Sequence, residues 1–542
     1  MAGARAGHRG LSMLSLARFR YRLWAGCLCA LFASPSFAAE LPRLVQQHGR
    51  FALFVDGAPY TVMAAQLHNS SAWPDTLPDT WRSVEALHAN TVEAPVYWEQ
   101  FEPEPGHLDT TNIDALIDQS RQHGVHLILL WFGSWKNGQM HYAPGWIKSD
   151  PAHYPRALDA HGEPVEDLSP YAASNLQADE KAFAALMRYL KQKDGEQHTV
   201  IMVQVENEPG MIGGIRDHST TANAAFHSKL PSSLAAALHR PDGSWSDVFG
   251  NDADEMFNAY GISRYIDQVA AAGKAVYPLP MYVNTWLRYK GKHLPGDDYP
   301  SGGATWNVLD LWKASAPHID LIGTDLYTTD YGEFTKVVDQ YARPDNPAWI
   351  SETGDEAGNA PYFFYVLAKG GIGFSIFGVD NADDTPALQA ATAAHARNFQ
   401  LVGAMQRQVA KAAFDARLLA AIEQRGQPTQ TLDLGRWQAK VSFGAPMWGD
   451  APAELPGNPS ADGHLLIVWQ TDSEFLVSGV DARVEFERHN DDHRHGQLLR
   501  VEQGSFIDGQ WHMQRLWNGD ETDYGLNFGS RPTLLRVTVG SY

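Results

Sequence analysis

Cysteine is nearly absent. The 542-residue chain has 2, Cys27 and Cys29, both close to its start, so neither a disulfide framework nor a thiolate cluster supports the fold. Positive charge is also scarce: 42 Lys and Arg stand against 63 Asp and Glu, for a formal net charge of −21. Beyond the first two dozen positions the basic residues form no cluster, which argues against a nucleic-acid partner. No apolar run approaches the roughly 20 residues needed to cross a bilayer. Phosphate-binding glycine loops, nucleotide fingerprints and spaced metal-ligand sets are missing too, so catalysis without cofactor or metal is expected. His489, His493 and His495 crowd the polar stretch from Glu487 to His495, but without spaced partner ligands they read as part of a solvated loop.

What is present is core-forming and aromatic. With 44% hydrophobic and 19% charged residues the chain can bury a large core, and its length calls for more than one domain. Its 17 Trp and 20 Tyr offer flat apolar faces with a polar edge, suited to sugar binding as well as to packing. The start has the three parts of a secretory leader: Arg5, Arg9, Arg18, Arg20 and Arg22, then apolar Leu23 to Ala33, then the small-residue site Ser36-Phe37-Ala38. Residues 1–38 are therefore expected to be a signal peptide, and the protein to be exported to the periplasm or secreted. Trp24-Ala25-Gly26-Cys27 resembles a lipoprotein box, yet almost no apolar run precedes it, so a lipid anchor is the less favoured reading.

From Phe51 short apolar runs alternate with helical stretches, the pattern of repeated βα units. Strands are expected at Tyr60 to Gln66, Thr91 to Trp98, Val125 to Trp131, Thr199 to Val205, Pro280 to Asn284, Ile319 to Leu326, Ala348 to Ser351 and Ile372 to Phe377. Helices are expected at Thr80 to His88, Asn112 to His123 and Ala178 to Lys193, and a long one from Pro386 to Ala413. Eight strands separated by helices fit an α/β fold, a (β/α)8 TIM barrel with enlarged loops, over 39–425. From about 430 the texture turns to short β runs such as Leu465 to Trp469 and Leu534 to Val539, so a smaller all-β, sandwich-like domain is expected over 426–542.

In such a barrel, chemistry sits where strands end. The fourth strand runs into Gln204-Val205-Glu206-Asn207-Glu208-Pro209-Gly210 and the seventh into Ser351-Glu352-Thr353-Gly354. Strand alternation puts Glu206 and Glu208 on one face and Asn207 on the other, unless a bulge turns neighbours into one pocket. A lone strand-end Glu is more often an ion pair or a helix cap. Two carboxylates from different strands facing one pocket are what glycoside hydrolysis needs, one protonated and one ionised.

At these residues the sequence resembles the large barrel clan of retaining glycosidases whose acid/base is the Glu of an Asn-Glu pair on strand four and whose nucleophile is a Glu on strand seven. Phe54-Val55-Asp56-Gly57, Asn90-Thr91-Val92-Glu93 with Trp98, Glu102-Pro103-Glu104-Pro105-Gly106 and the Gln204 to Glu208 run narrow the resemblance to glycoside hydrolase family 35, the β-galactosidases, over about 50 to 380. The chain departs from the commoner pattern at Ala94-Pro95, with Tyr97 instead, and at Ser134-Trp135-Lys136-Asn137-Gly138. Those positions normally help hold galactose. Trp135-Lys136-Asn137 is similar to a bacterial branch that removes galactose side chains from plant polysaccharides such as xyloglucan.

The resemblance implies Glu352 as nucleophile and Glu208 as acid/base, with carboxyl groups about 5 to 5.5 Å apart for retention, and Asn207 on the sugar 2-hydroxyl. Tyr327 resembles the tyrosine that orients the nucleophile, and a core role is equally open. Asn137, Asn284, Trp286 and Tyr97 are candidate sugar partners. Glu206 is either a second galactose ligand or a buried ion-pair partner, and Trp98 and Trp131 are either platforms or core. The implied function is an exo-acting retaining β-galactosidase, whose partner is an oligo- or polysaccharide with terminal galactose. The same chemistry on another sugar (β-glucosidase, arabinosidase or endo-glycanase) is the first alternative, and a sugar-binding barrel without activity is the second. The C-terminal domain could bind carbohydrate, complete the rim or form a homodimer contact, and its Trp469, Trp511 and Trp517 read mainly as core.

Overall fold

Strand and helix formation follow the apolar pattern closely. The computed structural model describes residues 40–380, 386–446, 454–489 and 494–542, with the backbone alone over 386–391; the expected leader and His493 lie outside these residues. Strands one to eight of the barrel are Val62–Gln66, Thr91–Tyr97, His126–Lys136, Val200–Asn207, Met281–Val283, the pair Leu321–Ile322 and Thr324–Asp325, Trp349–Thr353 and Gly373–Phe377. All pair in parallel. Strands two and four are buried at every residue, because helices cover one face and barrel side chains fill the other.

The connecting helices bury one stripe each. Leu77–Leu87 turns Leu77, Trp81, Val84 and Leu87 inward, and Ala173–Asp194 does so with Ala182, Phe183, Leu186, Met187 and Leu190. Thr111–His123 stops at Gly124, whose φ of 66° lets its N–H turn back to the carbonyls of Arg121 and Ser120.

Strand six departs from the continuous Ile319 to Leu326 expected. It is split at Gly323: Leu321–Ile322 pairs with strand five and Thr324–Asp325 with strand seven, which closes the barrel. A side chain at 323 would bring its Cβ within 2.5 Å of the Ser351 hydroxyl, so glycine is required where the two segments meet.

A three-stranded antiparallel sheet (Arg43–Gln47, Arg50–Val55, Ala58–Tyr60) precedes the barrel and packs on the helix Gln406–Phe414 through Phe54 and Phe414. The long helix expected from Pro386 is two helices, Pro386–Gly403 and Gln406–Phe414.

The antiparallel sheets of the C-terminal region begin at Leu418–Ile422, ahead of the boundary expected at 426, because this strand pairs with His464–Thr471. A six-stranded and a four-stranded sheet face each other across Leu434, Val441, Phe443, Ile467, Phe475, Val477, Val484 and Val537. In the larger sheet, His464 to Val468 of the strand His464–Thr471 is buried on both faces. Leu465 and Ile467 point to the partner sheet, whereas Leu466 and Val468 join the core of the barrel. His464 lies edge-on to Phe364 and its Nε2 pairs with Asn398 Oδ1 at 2.8 Å. Trp469 is partly buried and packs against the core between the sheets. Trp511 and Trp517 donate their indole N–H groups to Glu502 and Gln503. His489 pairs with Asp433 at 3.6 Å. Among the described residues no helix is long and apolar enough to cross a membrane.

Candidate active site

The end of strand four breaks its own alternation. Glu206 and Glu208 have φ values of 65° and 44°, in the left-handed region that costs a non-glycine residue about 1–2 kcal/mol. Opposite them the pairing with strand three jumps from Trp131↔Val205 to Lys136↔Asn207. This irregularity lets Asn207 and Glu208, neighbours in sequence, serve one pocket. It also turns Glu206 away. The Glu206 carboxyl is fully buried, accepts the Trp135 N–H at 2.7 Å and shares a hydrogen bond with the Asp179 carboxyl. Asp179 is held in turn by Trp131 Nε1, Ser134 and Tyr265. Burial drives Glu206 well above the usual carboxylate range, with Asp179 adding to it, so the pair keeps a proton between them. Glu206 is therefore neither a sugar ligand nor an ion-pair partner but half of a buried carboxyl pair behind the site.

Three carboxyl groups meet in the pocket. Oxygens of Glu208, Asp325 and Glu352 all lie within 4.8 Å of one another. Four donors converge on Glu352: Gln66 Nε2 at 2.9 Å and Tyr327 Oη at 2.9 Å, with Asn207 Nδ2 and Asn284 Nδ2 each at 3.3 Å. Such a set fits an ionised carboxylate. Glu208 stands in the opposite condition. Burial, and next the charge of Glu352, push it up to about 7, against the pull of Lys136 and a hydrogen bond with Asp325. Asp325 is also raised, by burial and then by Glu352 and Glu208, while it accepts hydrogen bonds from Asn284 at 2.8 Å and Ser351 at 2.9 Å. One proton is thus held between Glu208 and Asp325 at neutral pH, beside an ionised Glu352. Three oxygens so close could surround a cation, but the Glu352 oxygens are already engaged by four donors, so the donor set suits proton transfer and nucleophilic attack better.

The other predicted residues fall into two groups. Asn284 braces the site: its Nδ2 reaches Asp325 and Glu352 while its Oδ1 accepts the Glu208 N–H at 2.8 Å. Tyr327 and Trp286 stand on the rim, 45% and 38% exposed, Trp286 bridging to Asp325 through the backbone. Asn137, with φ of 56°, accepts from Lys136 and donates its N–H to the Asn207 carbonyl at 3.2 Å. Tyr97 differs from the expectation of a sugar partner. It is buried between the parallel rings of Trp73 and Tyr142, and its hydroxyl accepts the Ala72 N–H at 3.1 Å. Trp98 and Trp131 are fully buried core.

Sequence reasoning missed Gln66, Lys136, Asp179 and Asp325, and Glu93 as a functional group. Gln66 ends predicted strand one and Asp325 stands one residue before the end of predicted strand six, so the strand-end rule that found Glu208 and Glu352 applies equally to them. Glu93 is fully buried and raised by burial, with the charge of Glu352 adding to it, and it accepts hydrogen bonds from Ser375 at 3.0 Å and Tyr282 at 3.2 Å. Nothing local marks Asp179, which lies on a helix and reaches the site only through the fold.

Residues 52–268, which carry the first four barrel strands and the Asn207-Glu208 pair, match the family model described as glycosyl hydrolases family 35. The first half of the barrel is thus similar to the glycosyl hydrolases of family 35. A second model, described as a domain of unknown function (DUF5597), matches residues 395–529. None of the curated proteins matches the chain. Similar solved structures include a β-galactosidase from Rahnella sp. R3 (14% identity, TM-score 0.46), with 68% of this chain matched to 59% of that one. Another is a β-galactosidase from Bacillus circulans sp. alkalophilus (10% identity, TM-score 0.49), with 88% of this chain matched to 99% of that one. The catalytic domain of a β-amylase from Paenibacillus polymyxa is alike to a similar degree (11% identity, TM-score 0.44), with 61% of this chain and 96% of that one matched. Within the barrel, then, Glu208 and Glu352 are the carboxyl groups whose settings differ most clearly, one raised to about 7 and one ringed by donors.

Proposed function

We propose that the protein is an exported retaining β-galactosidase that removes terminal galactose by double displacement. The observation that carries this reading is the contrast between Glu208, pushed up to about 7, and Glu352, 5% exposed and accepting four hydrogen bonds, with oxygens within 4.8 Å in a barrel whose first half matches family 35. That closeness suits a direct attack by Glu352 better than a water placed between the two groups. Glu352 attacks the anomeric carbon as Glu208 gives its proton to the leaving oxygen. Water, deprotonated by Glu208, then releases the sugar from Glu352. Asn207, already turned toward Glu352, is placed to hold the 2-hydroxyl, where a hydrogen bond that strengthens in the transition state lowers the activation free energy. The exposed rings of Trp73, Trp286 and Tyr327 provide faces for the group beyond the scissile bond. The Trp135-Lys136-Asn137 segment supports galactose side chains of a plant polysaccharide such as xyloglucan as that substrate, and the leader-like start supports export.

A panel of nitrophenyl glycosides tests the sugar, and the anomer first released, read by proton NMR, tests retention. Turnover of a glucoside or arabinoside far above the galactoside would replace the sugar, and release of the α anomer would replace the mechanism. Glu352→Gln separates enzyme from binding module: turnover should fall by several orders of magnitude with ligand binding kept.

A further inference from the structure

Lys136 is 4% exposed at the end of strand three, directly beside the acid/base segment, and the hydrolytic steps leave it without a task. Its ammonium makes its hydrogen bonds to amide oxygens rather than to a carboxylate: Asn207 Oδ1 at 2.8 Å, and Asn137 Oδ1. The stem passes the Phe132 ring, with Nζ 5.2 Å from its centroid. A charge taken out of water for two neutral acceptors is costly, so its burial here calls for a compensating role. The turn that carries it is clamped to strand four, since the N–H groups of Asn137 and Gly138 bond the carbonyls of Asn207 and Glu208 at 3.2 and 3.0 Å.

An Asn amide can face two ways, and its neighbours decide which. Asn207 stands between a donor-only ammonium and the carboxylate of Glu352, its Nδ2 3.3 Å from Glu352 Oε1. The reverse orientation would set NH2 against NH3+ and carbonyl oxygen against carboxylate, two repulsive contacts in a buried site. We propose that Lys136 is a positioning residue that locks the Asn207 amide with its oxygen toward strand three, so that its NH2 always faces the nucleophile and the sugar hydroxyl.

The same ammonium acts on Glu208 from a distance. The charged and titratable groups around Glu208 are Glu352 on strand seven, Asp325 on strand six, Lys136 on strand three and the phenols of Tyr289 and Tyr327, and Lys136 is the cation among those that set its proton affinity. Its charge favours the ionised form of Glu208, so its removal moves the alkaline limb of kcat/KM to higher pH.

The inference rests on the proposed hydrolysis, and its test uses whichever glycoside the wild type cleaves fastest, so a wrong sugar leaves it intact while an inactive wild type removes the function itself. Lys136→Met, Asn207→Ala and the double variant form a cycle, with Lys136→Arg as the charge-conserving control and near-ultraviolet circular dichroism confirming the fold. Lys136→Met should lower kcat roughly 10–100-fold, with a smaller effect on KM, and raise the alkaline limb. In the Asn207→Ala background it should add little further loss, because the amide it orients is gone. Lys136→Arg should recover part of the rate and the wild-type limb. Losses that multiply in the double variant, or an alkaline limb that stays in place in Lys136→Met, would overturn the proposal.

Discussion

Neutralising Glu352 should turn Glu208 from an acid into a base, and the size of the change can be worked from their separation. In the resting site Glu208 is pushed up to about 7, first by burial and next by the charge of Glu352. The two carboxyl groups have oxygens within 4.8 Å. Unit charges at that distance interact by about 3.5 kcal/mol at an effective dielectric constant of about 20, and 1.36 kcal/mol is worth one pH unit in a proton equilibrium. On that figure, removing the Glu352 charge lowers the apparent pKa of Glu208 by about 2.5 pH units. Burial is the larger upward cause and it stays, so a fall of about one to two pH units is expected. In the proposed double displacement the same neutralisation occurs when Glu352 carries the sugar as an ester, the moment at which Glu208 must accept a proton from water. The perturbation is Glu352→Gln. The assay is carbon-13 NMR of glutamate-labelled protein titrated between pH 3 and 9, with the Glu208→Gln/Glu352→Gln protein identifying the Glu208 resonance. The wild-type reference is the alkaline limb of kcat/KM, expected at about 7. A Glu208 carboxyl that titrates in the Glu352→Gln protein at or above that limb would refute the electrostatic argument and the acid-to-base exchange built on it.

Tyr327→Phe removes a 2.9 Å donor to the Glu352 carboxylate, worth about 1.5–3 kcal/mol for a charged acceptor; steady-state kinetics should show kcat lower by roughly 10–100-fold with the melting temperature little changed. The Glu206 and Asp179 pair predicts the pH dependence of stability. Glu206 is raised in the folded state, so its contribution is fully present below the unfolded carboxyl value of about 4.3 and is lost as pH climbs toward the folded value. In Glu206→Gln the new side-chain amide would mimic the protonated carboxyl, donating to Asp179 while accepting the Trp135 N–H. Denaturant unfolding of this variant from pH 5 to 8 should thus gain on the wild type by up to about 1.4 kcal/mol per pH unit, and parallel curves would count against the shared proton. Leu466→Ala cuts a side chain of the C-terminal sheet that is buried in the barrel-side core. Calorimetry should show a loss of about 2–5 kcal/mol within one unfolding transition, and a separate early transition of the β sheets would contradict a shared core.

What could be read from the sequence was set by local rules, and what escaped it depended on contacts between distant segments. Eight strand positions were legible because a strand buried on both faces is a short apolar run whatever surrounds it, and Glu208 and Glu352 were legible because each interrupts such a run at its polar end. Gln66 and Asp325 obey the same rule at strands one and six, but Glu and Asn-Glu draw attention that a single Gln or Asp does not. The parity of Glu206 could not be settled from alternation, because its positive φ and the five-residue jump on strand three, from Trp131 to Lys136, are set by the partner strand. Lys136 was visible as a departure from the family pattern, yet its role depends on the amide across the strand pair, and Asp179 emerges only once its helix packs behind Trp131 and Ser134. Glu208, the proposed acid/base, is thus tuned by residues on strands three, six and seven, none within seventy positions of it in sequence. The protonation state on which hydrolysis depends is therefore a property of the closed barrel, which is why Gly323, where strand six splits to complete that closure, matters to the chemistry as well as to the fold.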